Sequence, residues 1–137
     1  MYGNILIAVA LDHEELVPGK IALARRLLTD GGHITLLTVL ENVPGFVAEF
    51  VDMKPENHLR AKVLQRLEAA HGGAPDIKVA VETGKSGVVI SHYAEAQGTD
   101  LIIVGSHKPG LQDYFLGSTA ARVARRAPCS VMIFRED

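Results

Sequence analysis

Residues 101–134, LIIVGSHKPGLQDYFLGSTAARVARRAPCSVMIF, read as a buried strand, a glycine-punctuated loop, a helix and a last strand. Leu101, Ile102, Ile103 and Val104 form an unbroken apolar run, the mark of a strand covered on both faces. Gly105 ends it. A loop of about eleven residues follows, and its Lys108, Pro109 and Gly110 exclude a continuous strand or helix. At Gly117-Ser118-Thr119 the chain enters a helix with apolar positions Ala120, Val123, Ala124 and Ala127. The first amides of a helix lack intrahelical acceptors and favour an anion, and two hydroxyls stand beside them here. Taken singly, a serine at a helix start reads as a cap, and a glycine after a strand as a turn. Taken together, a strand-end glycine, a long loop and a Gly-Ser-Thr helix start mark the edge where an open parallel sheet binds ligands. A phosphate suits that chemistry.

Upstream, the same alternation recurs. Ile5 to Ala10 is apolar throughout and predicts a central strand, which places Asp12 at the same sheet edge as Gly105. A helix opens near Pro18, with Val17, Ile21, Ala24 and Leu28 as its buried stripe and Lys20, Arg25 and Arg26 mostly on its wet side. Gly31-Gly32 is expected to stop it, ahead of a second strand over Ile34 to Leu40. Glu41 to Lys54 admits either a short amphipathic helix or a lid over the sheet edge. The next helix spans Pro55 to His71, with Leu59, Val63, Leu67 and Ala70 as its stripe. Ile77 to Glu82 alternates like an edge strand. The helix after Gly84-Lys85-Ser86-Gly87 presents Val89, Tyr93 and Ala96 on one face. Strand and helix thus alternate from end to end. The class is α/β: one doubly wound, Rossmann-like domain over residues 1–137, a five-stranded parallel sheet with helices on both faces.

Composition narrows the function. Fourteen basic residues against sixteen acidic ones give a net charge of −2, with no basic run for nucleic acid or an acidic membrane surface. Tryptophan is absent and aromatics make up 5%, too few for a base-stacking platform. No apolar stretch approaches a membrane span, and the start lacks the features of an export signal. The single cysteine, Cys129, suits a reducing cytoplasm and reads as a buried, inert thiol.

Enzyme motifs are wanting. The six histidines show no metal-ligand spacing, and His107 stands out only by lying on the loop beside the phosphate site. There is no GxSxG nucleophile elbow. Gly84-Lys85-Ser86 falls short of the GxxxxGK[ST] phosphate loop because Val79 occupies the first glycine's position, and ALDHEE stands where a GxGxxG would follow the first strand. A phospho-receiver's acidic pair is missing too, since His13 follows Asp12.

NILIAVALD, GTDLIIVGSHKPG and YFLGSTAARVARRAPCSVMIF together resemble the universal stress protein (UspA) family, in the same order and across essentially the whole chain. That family's nucleotide-binding members carry Gly, two residues, Gly, nine residues, then Gly and Ser or Thr. Here Gly105 is followed by Ser106-His107, Lys108 replaces the second glycine, and Gly117-Ser118 comes after eight residues. Some members with this shorter loop are similarly nucleotide-binding. The resemblance implies the sheet order 3-2-1-4-5 of adenine-nucleotide α-hydrolase-like folds, and an ATP site, with AMP or ADP as alternatives. Asp12 would accept hydrogen bonds from the ribose or help hold Mg2+ or Mn2+ at the phosphates, and Ala10 would belong to the same nucleotide site. Val39 would line the adenine pocket; Val104 and Gly105 would flank the ribose and phosphates; Lys108, Gly117, Ser118 and Thr119 would hold the phosphate chain; Ser106 and His107 would belong to the same site, a solvent-facing loop histidine being the competing reading of His107. For Val39 and Val104, plain core packing is the competing reading. The resemblance also implies a homodimer through Ser130 to Phe134, an apolar edge strand with no charge before Arg135. Two functions follow: a nucleotide-binding stress or regulatory protein that hydrolyses ATP slowly at most, or a dimeric interaction module of the same fold without a nucleotide.

Overall fold

The structure, a computed structural model, describes residues 1–10, 16–41, 55–106 and 116–135, with side chains from Leu59 onward in the helix that opens the third stretch. In chain order the elements are β1 (Tyr2–Ala8), α1 (Val17–Leu27), β2 (Leu28–Leu40), α2 (Pro55–His71), β3 (Ile77–Thr83), α3 (Ser86–Gln97), β4 (Leu101–Gly105), α4 (Ser118–Arg126) and β5 (Ser130–Phe134). The strands form one sheet in the order β3-β2-β1-β4-β5, and every pairing is parallel. This is the expected order, with β3 and β5 at the edges.

Strand side chains alternate between two cores, as a period of two requires. On one face Ile5, Ile7, Ile34, Leu36, Leu101 and Ile103 pack with Val17 and Ala24 of α1 and Val63 and Leu67 of α2. On the other, Leu6, Leu37, Ile102 and Val104 pack with Ile90 and Ala94 of α3 and Ala120 and Val123 of α4. Burying each such branched side chain contributes about 1.5–3 kcal/mol, and this is the main force holding the helices to the sheet.

At the sheet's N-terminal end the two central strands are clamped together. The Asp100 carboxylate accepts hydrogen bonds from the amides of Gly3 and Asn4, both at 3.0 Å, and the Asp100 amide donates to the Asn4 carbonyl at 2.9 Å. The Asn4 side-chain amide adds a bond to the Gln97 carbonyl at 2.8 Å.

Several expectations are corrected. β1 ends at Ala8 rather than Ala10 because Ala8–Leu37 is its last pair with β2, the ladder with β4 having already stopped at Ile7–Ile103. The double glycine does not cap α1. That helix stops at Leu27, and β2 begins at once with Leu28. Gly31 and Gly32 instead shape a bulge: between the pairs Tyr2–Leu28 and Asn4–His33, β1 advances two residues while β2 advances five. Gly31 takes φ of +80°, and a Cβ on Gly32 would stand 2.8 Å from Leu28 Cδ1 and 2.9 Å from the Gly3 carbonyl. In α2 the stripe is narrower than expected, since Leu59 is 41% exposed and Ala70 is exposed. In α3 the buried face is Gly87, Ile90, Ser91 and Ala94, one residue round from the expected one. Lys20 is buried, not on the wet side of α1.

Candidate functional site

In a parallel sheet all strands end at the same edge, and four described stretches meet there: the ends of β1, β2 and β4 and the start of α4. Ser106 follows β4 and is buried, and its carbonyl accepts a hydrogen bond from the Gly117 amide at 2.7 Å. That bond joins the two ends of the intervening loop. Gly117 is the N-cap of α4, with φ −60° and ψ 157°, and among the described residues no side chain caps this start. The first helical bond runs from the Ala121 amide to the Gly117 carbonyl at 2.9 Å. The amides of Ser118, Thr119 and Ala120 precede it and have no intrahelical acceptor. Ser118 is exposed, Thr119 half-buried and Ala120 buried. Their donor character fits the phosphates of a nucleotide.

α3 starts at the same edge but differs in kind. Glu41, just past β2, accepts hydrogen bonds from the Ser86 amide at 2.8 Å and from the Ser86 hydroxyl. The hydroxyl first and the amide second hold the Glu41 carboxyl below its ordinary range, with the Arg122 and Lys85 charges adding to the effect. The protein thus fills this helix start with its own anion, whereas no anion among the described residues occupies the start of α4.

The end of β1 is fastened from two sides. The Val9 amide donates to the Leu37 carbonyl at 2.8 Å, and the buried Thr38 hydroxyl donates to the Val9 carbonyl at 3.0 Å. From α1, Lys20 Nζ donates to the Ala8 carbonyl at 3.3 Å. A Cβ built on Gly105 would stand 3.6 Å from that nitrogen, so the amine lies against the ends of both central strands. Burial lowers the Lys20 pKa. Reading by residue type missed both side chains. For Lys20 the signal was its phase: three residues after Val17 and four before Ala24, it lies within the buried stripe.

Of the residues singled out from the sequence, the structure brings Ala10, Val39, Val104, Gly105, Ser106, Gly117, Ser118 and Thr119 to this edge. Ala10 is exposed just beyond β1. Val39 is half-buried and packs against the α3–α4 core, while Val104 is fully buried in it, so Val104 offers a ligand only its backbone. Asp12, His107 and Lys108 lie outside the described residues, as does the segment after Glu41. Among the described residues no group of three or more His, Cys, Asp or Glu could hold a metal. Cys129 is half-buried, and burial first, then Asp100, pushes its thiol pKa up, away from a reactive thiolate.

A five-stranded parallel sheet in the order β3-β2-β1-β4-β5, with helices on both faces, defines a doubly wound α/β protein. The sequence profile of the universal stress protein family matches residues 1–135, and the chain belongs to that family. It is 29% identical to universal stress protein G of Escherichia coli O157:H7, over 98% of this chain and all of that protein. Among solved structures, UspA of Lactobacillus plantarum superposes with a TM-score of 0.72 at 24% identity, covering 98% of each chain. A family protein of Arabidopsis thaliana with AMP bound gives a TM-score of 0.63 at 17% identity, over 98% of this chain and 92% of that one. A universal stress protein in complex with cAMP gives 0.63 at 22% identity, over 97% of each. No helix among the described residues is long and apolar enough to cross a membrane.

Proposed function

We propose that this universal stress protein acts as one domain that binds ATP, with AMP or ADP as alternatives, in a regulatory or stress-response role in the cytoplasm. The carrying observation is the start of α4: three amides without intrahelical acceptors, two hydroxyls and, among the described residues, no side-chain cap, beside the ends of β1 and β4. The phosphates are held by Gly117, Ser118 and Thr119 together with Lys108, and His107 belongs to the same nucleotide site. The ribose lies near Ala10 and Asp12, and Val39 borders the base. Asp12 assists Mg2+ or Mn2+ at the phosphates. The AMP and cAMP held by two structural neighbours support an adenine ligand. Hydrolysis is slow at most, since no described side chain is placed to activate water.

Calorimetric titration with Mg-ATP of the wild type and Gly117→Val tests this reading. Valine is at ease at the extended backbone angles of Gly117 but intrudes on the phosphates, so affinity should fall about thirtyfold, or ~2 kcal/mol. Equal affinities would place the nucleotide elsewhere. A second reading, a dimeric interaction module without nucleotide, rests on the unpaired edge of β5. Denaturing fresh protein and finding no released nucleotide, with no binding on addition, would favour it.

A further inference from the structure

Lys20 is 3% exposed, on the second turn of α1, among side chains of the core. Its ammonium has three donors. Among the described residues it makes one hydrogen bond, to the neutral Ala8 carbonyl at 3.3 Å, beyond the usual N–H···O range. Removing an ammonium from water costs several kcal/mol, and one long bond to a carbonyl offsets little of that. A methionine would fill the same space without that cost. The charge therefore asks for a use, and its position supplies one.

The amine lies where β1 and β4 end side by side. In the order β3-β2-β1-β4-β5 the sheet grows from β1 in one direction and from β4 in the other, and ligands of doubly wound folds bind in the crevice outside that point. Gly105, the last residue of β4, carries no side chain between the amine and the strand end; a Cβ there would come to 3.6 Å of it. α1 and α4 pack on opposite faces of the sheet. An anion in the crevice is thus met by the α4 amides from one face and by an ammonium from the other. Amides and hydroxyls also serve neutral acceptors, whereas a buried ammonium distinguishes charge.

We propose that Lys20 sets the charge preference of this crevice: its ammonium pairs with a phosphate group of the bound nucleotide, so that the site selects phosphorylated ligands over the bare nucleoside. The proposal rests on the nucleotide reading above. Lys20 also ties α1 to the end of β1, so its test must separate ligand charge from structure.

The test is calorimetric titration of wild type and Lys20→Met with ATP, AMP and adenosine, with circular dichroism melts of both proteins. The wild type should favour AMP and ATP over adenosine. In Lys20→Met, affinity for AMP and ATP should fall about tenfold or more while adenosine binds as before, which erases the preference. Unchanged AMP affinity, or an equal loss for AMP and adenosine, overturns the proposal, the latter by showing a structural role alone. Should Lys20→Met fail to fold, Lys20→Gln, which keeps a donor for the Ala8 carbonyl, takes its place with the same expected split. A wild type that binds none of the three ligands defeats the nucleotide reading itself. A wild type that binds, with a variant that keeps the preference, defeats only the role of Lys20.

Discussion

The Gly117 amide donates to the Ser106 carbonyl across 2.7 Å, tying the start of α4 to the residue that follows β4. Because Gly117 has φ −60°, within the range of proline, the donor can be deleted without forcing the backbone. Gly117→Ala, which keeps the amide, should stay within about 0.5 kcal/mol of wild type in urea unfolding. Gly117→Pro should lose about 0.5–1.5 kcal/mol by removing that hydrogen bond. Equal stabilities would show that this bond contributes nothing to closing the loop.

Glu41 should couple stability to acid pH. Its carboxyl titrates below the ordinary value of 4.5 in the folded chain, chiefly through the Ser86 hydroxyl. A depressed folded pKa gives stability that is fully present above the unfolded value and is lost as pH falls through the folded one. Glu41→Gln should therefore be less stable than wild type near neutrality, by about 0.5–1 kcal/mol for a largely exposed cap. Denaturant midpoints of the two proteins should converge in acid, at pH values below the folded pKa. A gap that persists there would mean the charge is not the cause.

Gly87 is where α3 and α4 meet. A Cβ at this position would stand 2.7 Å from Cβ, Cγ and Cδ of Arg122, a contact that backbone or side chain must yield to. Gly87→Ala should cost about 1–3 kcal/mol as overpacking. Combining it with Arg122→Ala, which removes Cγ and Cδ, should recover part of that loss. A double-mutant cycle in thermal unfolding reads the coupling, and strict additivity would refute the contact.

The edge of β5 should pair with a second copy of the chain. Val131 and Ile133 pack toward one core and Met132 and Phe134 toward the other, so the strand is apolar on both faces while one side of its ladder is unpaired among the described residues. Sedimentation at micromolar concentration should return a dimer, and Met132→Pro should shift it toward monomer with its helical circular dichroism retained. A wild-type monomer would count against the assembly.

What was legible in the sequence follows the strength of its local patterns. The unbroken apolar runs of β1 and β4 betrayed central strands, and Gly117-Ser118-Thr119 betrayed the helix start, because each is a local pattern with a local cause. Gly31-Gly32 misled, since a double glycine after a helix looks the same whether it caps the helix or bulges the next strand; the pairing with Gly3 decides. The phase of α3 misled because Val88, Val89 and Ile90 are consecutive apolar residues, and the contact that selects the buried face, Gly87 with Arg122, comes from another helix. Lys20 misled because its charge was weighed above its position in the helical period.

The clamp at Asp100 has a mechanical consequence. β1 and β4 share only the pairs Ile5–Leu101, Leu6–Ile102 and Ile7–Ile103, all toward the clamped end. Beyond them β1 is held by β2, through Leu37 and Thr38, and β4 by β5, up to the pair Gly105–Phe134. The sheet is therefore two wings, β3-β2-β1 and β4-β5, hinged along a short seam that is sewn at one end. A molecule lodged across the unsewn end would act as a second stitch. Its imprint on hydrogen exchange would then appear along the seam, in the amides of residues 5–7 and 101–103, as slower opening of one wing from the other.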